Sequence, residues 1–204
     1  MGSDNTFNDT ELTSLKKQPG IDGIAPLIAN QFRVKASAGT IIPFSTDLFL
    51  ESIDNDFIDT VPPSFTWEPG QPVVPIIFSS DFLEMYNVFA PGWDLPQVSE
   101  KTAGSINIFL NCHGHYGEQL FKAHIVAFSD RINSILVPEN FLDKLNKDLE
   151  GLQDVQCARV FIKTKDANNP QLLNYLEQKN YHTNKDKTRF GRVKQILQTI
   201  VGGL

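Results

Sequence analysis

SINIFLNCHGHYGE, residues 105–118, is the stretch on which the fold reading turns. Ile106, Ile108, Phe109 and Leu110 form a short apolar run, the pattern of a buried strand. Asn111, Cys112, His113, Gly114, His115, Tyr116, Gly117 and Glu118 follow directly. They bring one of the two cysteines, two of the four histidines and two glycines to the end of that strand. Ligands of open α/β sheets bind at the carboxyl ends of strands, so chemistry is expected here.

Working outward, residues 73–78 (VVPIIF) read as a strand, and Pro75 predicts an edge position or a bulge. Ser79, Ser80 and Asp81 cap a helix over 82–89, which stops before Pro91 and Gly92. Residues 46–58 place Leu48, Phe49, Ser52 and Ile53 at helical spacing, with Thr46 or Asp47 as cap and Pro62-Pro63 as terminator. Residues 32–42 alternate as a strand or hairpin. Downstream, 120–128 (LFKAHIVAF) reads as a strand, with 133–137 pairing to it. Pro138 opens a helix that carries Phe141, Leu142, Leu145, Leu149 and Leu152 on one face. Residues 158–162 (ARVFI) form a second buried strand, and Asn169-Pro170 begins a helix with Leu172, Leu173 and Leu176 on one side. The tail, 185–204, is basic and has Val193, Ile196, Leu197, Ile200 and Val201 as a helical stripe, ended by Gly202-Gly203. That stripe packs on the domain or meets a partner or a membrane surface.

Alternation of strands and helices predicts one α/β domain over 25–204, with a mostly parallel sheet and helices on both faces. Residues 1–24 are polar, contain Pro19-Gly20, and are expected to be a flexible segment with at most a short helix around 10–17.

At 41% hydrophobic and 21% charged the composition is that of an ordinary globular chain. A net charge of −6 argues against a nucleic-acid partner. No apolar run approaches the roughly 20 residues of a membrane span. No secretory leader is read at the N-terminus, which leaves localisation open between the cytoplasm and export without a cleavable signal. Two cysteines make no disulfide framework. No cofactor is expected.

A thiol becomes nucleophilic at neutral pH beside a base or an imidazolium. His113 stands at a strand end, Gly114 leaves the backbone open to a substrate, and Cys157 follows 44 residues after His113. A hydrophobic strand ending in His-Gly, then a helix and a second strand near a cysteine, resembles the caspase-hemoglobinase peptidases, over about residues 73–180. That group includes clostripain-like enzymes and toxin autoprocessing domains. The resemblance implies a cysteine peptidase-like hydrolase acting on a protein or peptide. His113 would polarise the Cys157 thiol, and the backbone near Gly114 would hold the oxyanion. The cysteine half departs from the family pattern. Gln156-Cys157-Ala158 precedes the strand instead of following it, and Lys165 falls where the nucleophile belongs. The alternative is therefore a catalytically inactive interaction or effector module on the same fold.

A third reading is a metal site. Cys112, His113, His115 and Glu118 supply zinc-type donors within a few residues, with His124 or a carboxylate completing the set. Against these stand ordinary roles: Cys157 as a small buried hydrophobe, His115 as a loop histidine, His124 as a satisfied strand histidine and His182 as solvated surface. Trp67 and Trp93, in Pro/Gly-rich loops, form a recognition surface or plug the ends of the sheet.

Overall fold

The apolar run of 106–110 does not end at Asn111. It continues as a strand through Gly114 and turns back on itself, which changes the topology of the sheet. The computed structural model describes residues 6–38, 42–132, 134–190 and 195–201. In chain order these give α1 (Asp9–Lys16), β1 (Ile21–Ala29), β2 (Arg33–Ala38), β3 (Ile42–Leu48), β4 (Leu50–Ser52), β5 (Val73–Ser79), α2 (Ser80–Phe89) and α3 (Glu100–Ala103). Then come β6 (Ile108–Gly114), β7 (Gly117–Ser129), β8 (Ile135–Leu136), α4 (Glu139–Glu150), β9 (Arg159–Thr164), α5 (Pro170–Gln178), β10 (Tyr181–Phe190) and β11 (Gln195–Val201). The chain divides into two compact units. Met1–Ile28, Ile53–Phe57 and Val155–Leu204 form the first; Ala29–Ser52 and Ile58–Asp154 form the second.

Among the described residues the first unit carries four strands in the order β10-β11-β9-β1, all paired antiparallel. Phe7, Leu15, Val160, Ile162, Leu172, Leu176 and Tyr181 pack into its core with Cys157. α1 begins with a capping box: the Asn8 side chain accepts from Glu11 N–H, and the Glu11 carboxylate accepts from Asn8 N–H, both at 2.9 Å. α5 starts where Asn169-Pro170 predicts, with Asn169 Oδ1 accepting from Gln171 N–H and Leu172 N–H. The expected tail helix is instead the strand β11, which takes its hydrogen bonds from β9. Thr199 and Ile200 are β-branched, fit a pleated surface, and pair with Val160 and Arg159 of β9. Val193 and Gly202-Gly203 lie outside the described residues.

The second unit has the strand order β4-β8-β5-β7-β6-β2-β3. Only β4–β8 and β5–β7 run parallel among its described pairs; the others are antiparallel. The protein is thus mixed α/β, as expected, but its sheets are mostly antiparallel and not mostly parallel. The cause is local: His115 and Tyr116 alone connect β6 to β7, and a two-residue connection joins only antiparallel strands. The expected helix over 46–58 is replaced by β3, β4 and a short 3-10 turn at Asn55–Phe57, because β3 pairs with β2 and β4 with β8. Pro75 sits in β5 between β8 and β7, with a register shift at Ile76/Ile77. Of the expected 133–137, Ile135 and Leu136 form β8, which pairs among the described residues with β4 and β5, not with β7, and Asn133 lies outside the described residues.

α4 matches its apolar spacing: Phe141, Leu142, Leu145 and Leu149 are buried, and Gly151 at φ 72° ends the helix in the left-handed conformation. Trp67 packs edge-on against Phe141 at 5.0 Å between centroids, and Phe141 packs edge-on against Phe121 at 5.0 Å. The Trp67 indole N–H donates to Gln71 O at 3.0 Å. Asn140 Nδ2 donates to Trp67 O at 2.6 Å, so the loop is held to the start of α4. Trp67 is thus a core residue, whereas Trp93 is exposed.

Candidate functional site

The NCHGHYGE segment is the tip of the β6–β7 hairpin. Strand alternation sends neighbouring side chains to opposite faces. Cys112 therefore points into the core and is fully buried, while His113 lies on the exposed side. His113 stands opposite Arg33 of β2 and opposite Glu118 of β7. Asn111 donates from Nδ2 to Glu118 Oε1 on the same face. A row of Arg33, His113 and Glu118 on a solvated ladder is a cross-strand charge pattern of the kind that stabilises sheet surfaces.

Gly114 has a steric reason to be glycine. A Cβ there would lie 2.6 Å from Leu149 O, and 2.7 Å from Leu149 Cβ and from Glu150 Oε1. Beyond it, Tyr116 N–H donates to Leu149 O at 2.9 Å, and His115 N–H donates to Glu150 Oε1 at 3.2 Å. The last carbonyls of a helix have no partner within it. The hairpin tip supplies one for α4, and this contact needs the backbone of residue 114 bare.

The metal reading does not survive this geometry. Cys112 and His113 face opposite ways, and among the described residues no group of three or more His, Cys, Asp or Glu is placed to hold a metal ion.

Cys157 belongs to the first unit and His113 to the second. Cys157 is buried in the first unit's core, and its carbonyl accepts from Phe7 N–H at 2.7 Å. Burial pushes its thiol up to about 11, against a smaller lowering by a backbone hydrogen bond. Burial alone pushes the Cys112 thiol up to about 12. At neutral pH the Cys157 thiol is therefore kept protonated, the opposite of an activated nucleophile. Both folded values lie above that of a free thiol, near 8.5. Stability from keeping these thiols neutral is full below about pH 8.5 and is lost as pH rises toward 11–12. Denaturant titrations are expected to show this fall. Iodoacetamide should leave both cysteines unmodified in native protein at pH 8 and label both in denaturant. Fast labelling of native Cys157 would contradict its burial.

A family model for a probable transporter periplasmic core domain, PCD-like, matches residues 1–186. The chain belongs to this family. Its membership overturns the caspase-hemoglobinase resemblance. With it go the cysteine-peptidase reading of His113, Gly114 and Cys157, the hydrolase class, and the inactive effector on that fold. No curated protein matches the chain. Among solved structures, the extracellular domain of the noncanonic ABC-type transporter YknZ from Gram-positive bacteria is similar at 14% identity, with a TM-score of 0.41. The match covers 95% of this chain and 90% of that one. In this PCD-like chain, no helix of the described residues is long and apolar enough to cross a membrane. The His-Gly pair misled the reading because glycine marks close backbone approach of any kind, to a helix end as readily as to a substrate.

Proposed function

We propose that this chain is an extracytoplasmic domain of a membrane transporter, acting by contact with the transporter's other components and not by bond-breaking chemistry. The observation that carries the reading is the family match over residues 1–186. The state of the two thiols supports it, because each is buried and held protonated. The same burial makes a clean test of sidedness. Thr66 lies on an exposed loop of the second unit. In intact source cells making the Thr66→Cys protein, a small membrane-impermeant maleimide is expected to label residue 66 without lysis, over a low background from Cys112 and Cys157. Labelling only after the inner membrane is breached would sink the proposal.

A further inference from the structure

Within the second unit, β2, β3, β5, β6, β7, α2 and α3 line a cavity of about 170 Å³. Its walls are almost wholly nonpolar, and Phe78, Phe82, Leu83, Ile106, Ile125 and Phe128 are among the side chains that line it. The Tyr86 hydroxyl, whose ring also lines it, is committed elsewhere and donates to Pro96 O at 2.9 Å. The cavity is open to solvent: Phe78, Phe82, Leu83, Ile106 and Phe128 are each only half-buried, and Thr46 in its lining is exposed.

A second observation concerns α2 itself. It has no fully buried residue, although Phe82, Leu83, Met85, Tyr86 and Phe89 of its sequence SDFLEMYNVF share one broad face opposite Ser80, Asp81, Glu84 and Asn87. Phe82, Leu83 and Tyr86 face the cavity. Met85, Val88 and Phe89 are 52%, 73% and 64% exposed, and Trp93 in the following turn is 71% exposed. An amphipathic helix ordinarily buries its apolar face. Exposed apolar side chains beside a nonpolar cavity are the kind of surface at which ligands bind.

We propose that this cavity takes the nonpolar end of an amphiphile, a single hydrocarbon chain whose polar end stays at the open mouth. Size supports this occupant. An engineered apolar cavity of about 150 Å³ stays dry and admits benzene, so this one accommodates about six carbons. The open mouth favours an amphiphile over a free hydrocarbon, because whatever exceeds the cavity emerges into water. The site involves neither the thiols nor the hairpin tip.

The test is a titration of isotope-labelled isoleucine methyls in the full chain with 1-butanol, 1-pentanol, 1-hexanol and 1-octanol. Shifts are expected at Ile106, Ile108 and Ile125. Affinity should rise about fourfold per added methylene and level off near six carbons. Ala103→Leu, which adds bulk at a buried wall position, should weaken hexanol binding at least tenfold. Should that variant fail to fold, Ile125→Ala enlarges the cavity and should move the plateau to longer chains, read at Ile106 and Ile108. Phosphatidylcholine vesicles distinguish the sources. Co-sedimentation that Ala103→Leu abolishes assigns the chain to a membrane lipid; alkanol binding without co-sedimentation assigns it to a free amphiphile. Affinity independent of chain length, shifts centred on Ile53 or Ile162, or no binding of either probe would overturn the proposal.

Discussion

Replacing Phe141 by alanine is expected to cost about 3–5 kcal/mol of folding stability, a large part of the roughly 5–15 kcal/mol that holds a typical protein folded. Phe141 is fully buried on the first turn of α4. Its ring is the middle member of three, edge-on to both Trp67 and Phe121. Deleting it removes apolar burial and leaves a cavity that the strand carrying Phe121 cannot collapse to fill. It also removes the support beneath the loop that Asn140 anchors through Trp67 O. Trp67 reports the event, since its indole is buried while Trp93 is exposed. Urea unfolding followed by tryptophan fluorescence should show the midpoint falling steeply, and Phe141→Leu should fall less. A loss below about 1 kcal/mol would mean that the three rings do not pack as described.

Gly114→Ala adds one methyl group and is expected to cost about 2–4 kcal/mol. The new Cβ meets backbone on α4, 2.6 Å from Leu149 O, and a carbonyl in a hydrogen-bonded helix end cannot turn aside as a flexible side chain would. The hairpin tip has to move off the helix. That breaks the bond from Tyr116 N–H to Leu149 O and the one from His115 N–H to Glu150. Hydrogen exchange at these two amides should accelerate along with the loss of global stability. Gly92→Ala is the control, because nothing lies within 4 Å of a Cβ there. If Gly114→Ala unfolds at the wild-type midpoint with unchanged exchange at Tyr116, the clamp between hairpin and helix is wrong.

Some of the chain was legible without its fold. α4 and α5 were, because each carries its own start signal and a buried stripe at helical spacing, and these act within a few residues of each other. β5 and β9 were legible as apolar, β-branched runs of strand length. β1 was missed, because Gly23 and Pro26 interrupt its pattern, while its pairing with β9 supplies what propensity lacks.

The sequence by itself determined the helices α4 and α5, the apolar runs that become β5 and β9, and that cysteine and histidine cluster after residue 110. Only the tertiary structure decided what these mean. Residues 46–52 and 195–201 carry helical spacing but become strands, because β2, β8 and β9 offer them edges far away in the chain. Cys112 and His113 are parted by the pleat of a strand that runs on past Leu110. Gly114 is explained by Leu149, 35 residues later. Periodicity and capping are local properties, written within a turn or two of chain. Strand pairing, burial of a thiol and close approach of backbones depend on partners remote in sequence, and no local pattern names the partner.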